Sequence, residues 1–316
     1  MESRTFPSSR IQEHPMSRSL IPALVMLTAM TVATCALGAA ESVAPVGAER
    51  VYQPFPKSVQ AAASSTHAVA SNNEDASAES ALLDAVNRSR AQAGLAAIRM
   101  DDSLRDAARL HAQRMVATKS LEHQFPGEPA LLQRIADVST LPLDRAGENI
   151  ANVTCLSDGH NLLMNSPPHR RNILDPNFNV AGMAAIWSQG RLYIVQDFAH
   201  AMPRYSVSQA DKLVSGAVEE ARQNGGLTGL TGKIPAQLND AACSLAAEDH
   251  PNARLIAASY PDRKIVTYTQ SQPEVLPPGA LRLLADPNLR QFAVGSCYAR
   301  NANYPAGIYW VAILLY

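Results

Sequence analysis

Gly147–Leu174, GENIANVTCLSDGHNLLMNSPPHRRNIL, packs an acid, a serine before two prolines, and two histidines into one short run. The sequence SPPH reads as a helix start, with Ser166 at the cap and a proline in the first turn, where its missing amide hydrogen is not needed. That role leaves the His169 imidazole able to face a cleft. His160 sits early in the preceding helix, DGHNLLMN, and could point to solvent or inward. Glu148, beside Asn149, can either hydrogen-bond backbone or complete a polar site. A nucleophile is not indicated. Ser166 lacks a GxSxG elbow, a capping serine is not activated for attack, and nothing around Cys155 would lower a thiol pKa.

Upstream of this run, SALLDAVNRSRAQAGLAAIRMD (Ser80–Asp101) places Leu82, Leu83, Val86, Arg90 and Ala93 on a helical period, with Ser80 as cap and Gly94 at the stop. A second helix follows, capped at Asp101 or Asp102, with Leu104, Ala107, Ala108, His111 and Met115 along one face. His111 on that apolar face reads as a packing residue. Pro126 and Pro129 interrupt the chain afterwards. Downstream, FNVAGMAAIWS and RLYIVQDFA read as two strands joined by a turn at Ser188–Gly190. Residues 78–203 are therefore expected to form an α+β domain.

The remainder, 204–316, repeats this pattern in weakened form. AVNRSRAQAGLAAI from Ala85 aligns with AVEEARQNGGLTGL from Ala217, and LRDAA at Leu104 with LNDAA at Leu238. PPHRRNILDPNFNVAG at Pro167 aligns with PPGALRLLADPNLRQFAVG at Pro277, and LYIV at Leu192 with IYWV at Ile308. Four matches in the same order argue for duplication. The repeat puts Cys243 on a helix and Cys297 on a strand that should pack together, a geometry compatible with a bridge, with Cys155 the odd one. The sequence leaves the pairing of the three open.

The N-terminus carries Arg4, Arg10 and Arg18, then an uncharged apolar run from Leu20 to Leu37 and the small residues Gly38, Ala39 and Ala40. Residues 1–40 read as a secretory signal peptide, with an uncleaved membrane anchor as the alternative. Residues 41–77, rich in Ala, Ser and Pro, read as a disordered linker. The rest of the chain would then be extracytoplasmic, secreted or periplasmic. A formal net charge of −1 supplies no global attraction to nucleic acid.

His123 in LEHQFPG, Glu148 and His169 could converge, and two imidazoles with a carboxylate suit a divalent cation with open coordination positions. Together LLDAVNRSRAQAGLAAIRMDDSLRDAARLHAQRM, LEH, GENIA, LMNSPPHRRNIL and NVAGMAAI…LYIVQDFA resemble a bacterial CAP domain, the SCP-like extracellular domain of the cysteine-rich secretory, antigen 5 and pathogenesis-related superfamily. The resemblance covers about Ser80 to Ala201. It implies an α-β-α sandwich, which the internal repeat extends to a second, degenerate CAP-like domain, and a cleft of two histidines and two acids, with His123, Glu148 and His169 as three of the four. The second acid departs from the pattern: Leu163 stands about where a tryptophan belongs and Ser166 about where the acid does, and Asp158 is the nearest acid. In the second copy Gly279 replaces His169 and no GEN occurs. The implied function is a secreted binding module whose cleft can hold a divalent cation such as Zn²⁺, its ligand a lipid or a peptide. The rival is a metal-assisted, peptidase-like hydrolase in which Glu148 activates water. A third reading makes the second domain a partner-binding surface.

Overall fold

The computed structural model describes residues 74–233 and 236–316, so the expected signal peptide and nearly all of the expected linker lie outside the described residues. Among the described residues no helix is long and apolar enough to cross a membrane. The last residues assigned to the linker belong to the domain. Glu74 bridges to Ile186, and the Asp75 carboxylate, rather than Ser80, caps helix α1, Ala76–Gln92. Gly94, with φ of +73°, turns the chain out of that helix as the sequence indicates.

A short strand β1 (Arg99–Met100) leads into α2 (Asp102–Thr118), whose free Ser103 and Leu104 amides donate to the Asp101 side chain. A helix not foreseen from the sequence, α3 (Leu131–Val138), precedes strand β2 (Leu143–Val153). Then come α4 (Leu156–Asn165), α5 (Pro167–Ile173) and the hairpin of β3 (Val180–Ser188) and β4 (Arg191–Ala201). Ser166 takes the cap position of α5 with Pro167 in the first turn, but its side chain makes no capping hydrogen bond. The sheet runs β1-β3-β4-β2, with β1 parallel to β3 and the other pairs antiparallel.

Helices cover both faces of this sheet, so β3 and β4 are apolar at successive positions rather than alternate ones. Ala181, Met183, Ala185, Ile194 and Phe198 pack against Leu82 and Val86 of α1 and Leu163 and Ile173 of α4 and α5. Ala184, Ile186 and Val195, on the other face, pack against Ala108, Ala112 and Met115 of α2. The result is the expected α-β-α sandwich.

The second copy repeats the first in the same order, one helix short: α6 (Val207–Asn224), β5 (Thr231–Lys233), α7 (Ala236–Ala247), α8 (Arg254–Ala257), β6 (Lys264–Gln270), α9 (Pro278–Leu284), β7 (Gln291–Ala299) and β8 (Ile308–Leu315). Its sheet order, β5-β7-β8-β6, with β5 parallel to β7, is the same permutation. A counterpart of α4 is missing, because only residues 271–277 separate β6 from α9. Arg90 and Arg222 are each 1% exposed and do the same work. Arg90 donates to the carbonyls of Ala96, Ile173 and Asp175, and Arg222 to those of Thr228, Leu284 and Asp286, clamping the helix-to-strand turn of each copy. Gly182 and Gly295 are matched as well. A Cβ on Gly182 would lie 2.1 Å from the backbone carbon of Leu104, and one on Gly295 would lie 2.4 Å from that of Leu238. Each glycine lets a helix press onto its sheet.

One detail of the repeat is corrected by the register. Gly182 pairs with Asp197 and Gly295 with Ala312, so Leu192 corresponds to Gly307 and not to Ile308. A slip of one residue would turn every side chain of β8 to the wrong face. Cys243 and Cys297 form a disulfide with a Cα separation of 5.1 Å. No free cysteine occurs among the described residues, so Cys155 is not a spare thiol.

Candidate functional site

Glu148 on β2 stands directly opposite Asp197 on β4. Two residues along the same faces, Ile150 and Val195 pack against α2. The period of a strand therefore turns both carboxyls toward α2, where His111 waits on the buried face. The loop after α2, with Gly127 at φ of +75°, and then α3 close over them. This loop supplies His123 and Glu128, and α3 supplies Arg134.

The cluster is tightly bonded. His123 Nδ1 lies 2.8 Å from Glu148 Oε1, and Arg134 Nη2 donates to Glu148 Oε2. Arg134 Nη1 donates to the His123 carbonyl at 3.0 Å and stands 3.3 Å from Glu128 Oε2. His111 Nδ1 is 2.9 Å from Glu128 Oε1, and its Nε2 is 2.9 Å from the Glu122 carbonyl and 3.7 Å from Glu148 Oε2. Burial opposes charge on Glu128, but the hydrogen bonds from His111 and the Phe125 amide, with the charge of Arg134, hold its carboxyl below the usual range. Asp197 is the opposite case. Full burial, then the charge of Glu148, push its carboxyl well above the carboxylate range.

His169, at the start of α5, is 1% exposed, and neither ring nitrogen has a hydrogen-bond partner in the chain. Burial, then the neighbouring His123, push its pKa down to about 4, so the ring is neutral at physiological pH. Asn149 holds its backbone: its amide nitrogen donates to the His169 carbonyl at 3.2 Å and to Gln196 at 3.1 Å. Within GEN the backbone-holding role thus falls to the asparagine, and the acid enters the cluster.

The structure thus brings His123 and Glu148 into direct contact and sets His169 near His123. The remaining candidates lie elsewhere: His160 ties α4 to α1 through a 2.8 Å contact with Ser89, and Asp158 sits in the first turn of α4. The acids that join Glu148 in the cluster are Glu128 and Asp197, neither of them in the helix before His169. His111, read from sequence as packing, is buried and also belongs to the polar cluster. Two signals were available. Asp197 is a charge inside the apolar run LYIVQDFA, and Arg134 lies beside the buried Ile135 and Ala136 in the short helix LLQRIADV.

The expected cation site does not follow from this arrangement. Both oxygens of Glu148 are engaged, one with His123 and one with Arg134, and a guanidinium stands among the acids. Among the described residues no group of three or more His, Cys, Asp or Glu is placed to hold a metal ion. What remains as buried, unbonded candidate donors are His123 Nε2, the ring nitrogens of His169 and the oxygens of Asp197, and burial opposes the charge that the Asp197 carboxyl would need to hold a cation. These residues do not fit a three-donor cation site as they stand.

Above the cluster lies a cavity of about 790 Å³ between the two copies. Its lining joins His123, Glu148 and Asn172 with the apolar Leu131, Leu132, Leu143 and Phe178 and the charged Asp144 and Arg145 of the first copy, and with Gln270, Tyr304, Ala306 and Ile308 of the second. The corresponding positions of the second copy carry no such chemistry. By strand register Thr267 matches Glu148 and Ala312 matches Asp197, and by the helix alignment Leu245 matches His111 and Gly279 matches His169.

Residues 83–198 match the family model described as the cysteine-rich secretory protein family, CAP. Over 119 residues the chain is 32% identical to the uncharacterized protein YkwD of Bacillus subtilis (strain 168), a match covering 35% of this chain and 45% of that protein. The chain thus spans less than half the length of that relative. An extracellular protein containing an SCP domain from Bacillus anthracis Ames is 22% identical, with 39% of this chain and 40% of that chain covered and a TM-score of 0.36. The crystal structure of Na-ASP-1 is 8% identical, with 79% of this chain and 91% of that chain covered and a TM-score of 0.45. With the motifs in order on an α-β-α sandwich, residues 83–198 form a domain of the CAP superfamily.

Proposed function

We propose that this chain is an extracytoplasmic binding module that takes an amphipathic, lipid-like ligand into the cavity between its two domains. One observation carries the reading: the cavity lining sets His123 and Glu148 together with apolar side chains of both copies, Leu131, Leu132 and Phe178 from the first and Ala306 and Ile308 from the second, among polar residues such as Arg145 and Gln270. A volume of about 790 Å³ lies within the range of small-molecule sites, roughly 300–1,000 Å³. The tail would lie against Leu131, Leu132 and Ile308, and the head group would meet His123. An extracytoplasmic location is supported by the Cys243–Cys297 disulfide, which persists in oxidising compartments. Metal-assisted hydrolysis, the rival, would need Glu148 free to take a proton from water, and both of its oxygens are engaged.

The test is titration with a dansylated fatty acid, with a dansylated apolar peptide in parallel. The fatty acid should give a blue-shifted, saturable emission that Leu132→Glu abolishes while far-ultraviolet dichroism stays unchanged. Emission that stays unshifted, or a shift that survives Leu132→Glu, would refute the reading; a shift with the peptide alone would replace the lipid with a peptide.

A further inference from the structure

We infer that Arg134 is the resident cation of the His/Glu cleft, and that the second domain keeps it there through Arg300. The side chain of Arg134 is 7% exposed and is bracketed by two carboxylates, Glu148 and Glu128. It donates as well to the His123 carbonyl. A divalent ion entering beside it would meet a fixed positive charge within a few ångströms and would have to displace it from Glu148. The acids of the cleft therefore already have their counter-charge, delivered by a side chain.

That side chain rides on a weak support. Helix α3 has eight residues, too few to be stable by helix formation alone, and no side chain caps its start. Its position comes from tertiary contacts, and several of these belong to the second copy. Arg300, just past β7, donates to the Ala136 carbonyl at 2.9 Å and to the Ser139 carbonyl at 2.6 Å, at the end of α3 where helix carbonyls lack partners. Ala306 of the second copy joins Ile135 and Ala136 in one apolar cluster. The chemically silent copy thus acts on the site of the first by fixing the helix that carries Arg134. Arg300 is a positioning residue and touches nothing in the cleft itself. Release of α3 would free Glu148 Oε2, whose partner oxygen already contacts His123, while His123 Nε2 and both His169 nitrogens are unbonded.

The experiment is calorimetric titration of Zn²⁺ alone into the full chain, comparing wild type with Arg134→Ala, Arg300→Ala, and Arg134→Ala combined with His123→Ala and His169→Ala. Arg134→Ala should bind Zn²⁺ at least about tenfold more tightly than wild type, the triple variant should lose that gain, and Arg300→Ala should gain in part. Hydrogen exchange should show faster α3 amides in Arg300→Ala. If Arg134→Ala does not fold, Arg300→Ala decides, because its guanidinium lies outside the cleft. Wild type binding as tightly as the Arg variants, or Arg300→Ala leaving both Zn²⁺ affinity and α3 exchange unchanged, overturns the inference. The result is independent of the fatty-acid titration, which can fail while this comparison stands.

Discussion

Removing the Cys243–Cys297 disulfide should weaken the second domain selectively. The bridge joins α7 to β7 across 54 residues of sequence. Closing a loop of that length in the unfolded chain costs about 4 kcal/mol of entropy at 25 °C, which the bridge supplies in advance. Little folded-state loss should add to it, because Cys297 is 8% exposed among Leu238, Ala242 and Trp310, and alanine at both positions removes only two sulfur atoms. The first copy has Arg109 and Ala184 at the matching places and holds the same helix–strand pair without a bridge. The chain has two tryptophans, Trp187 on β3 of the first copy and the fully buried Trp310 on β8 of the second, so single-tryptophan variants report each domain separately. With a urea dependence of about 2 kcal/mol per molar, Cys243→Ala/Cys297→Ala should lower the midpoint read by Trp310 by roughly 2 M. The midpoint read by Trp187 should move much less. A Trp310 shift below about 0.5 M would refute the loop-entropy reasoning, and equal shifts at both reporters would refute the separate assignment of the bridge to the second copy.

Two further outcomes are expected. Gly182→Ala and Gly295→Ala should each destabilise by about 3 kcal/mol or more, because the added methyl meets backbone at 2.1 Å and 2.4 Å and no side chain can move aside; thermal melts showing losses under about 1 kcal/mol would contradict this. His169 should make stability fall in acid. Its folded pKa of about 4 lies below its unfolded value of 6.5, so the unfolded chain binds the extra proton between them, and the contribution, at most about 3 kcal/mol, is complete above pH 6.5 and lost as pH falls toward 4. The difference between wild type and His169→Gln in denaturation midpoints should shrink over that interval; a difference independent of pH would contradict the assignment.

Much of the fold is legible along the chain because it rests on local periodicity. The face of α2, the Gly94 stop, the β3–β4 hairpin and the internal duplication all follow from residue spacing, and the structure bears each of them out. Helix α3 is not legible. Eight residues with an uncapped start carry too weak a signal, and the helix holds its place through contacts with β2 and with the second copy. The one-residue offset in the β8 alignment has a similar origin, since IYWV matches LYIV by composition while only strand pairing settles register.

The site divides along the same line. The sequence offered His123, Glu148 and His169 as cleft residues through the resemblance to a family, and the structure sets His123 against Glu148 with His169 near His123. The sequence could not supply the partners of these residues. Glu128, Arg134, His111 and Asp197 come from a loop, two helices and a strand far apart in the chain, and they meet only because the sheet order sets β4 beside β2 with α2 and α3 packed on one face. Spacing along a chain constrains what happens within one element. Which charge neutralises which depends on distances between elements, and those exist only once the two copies have folded and Arg300 has set α3 in place.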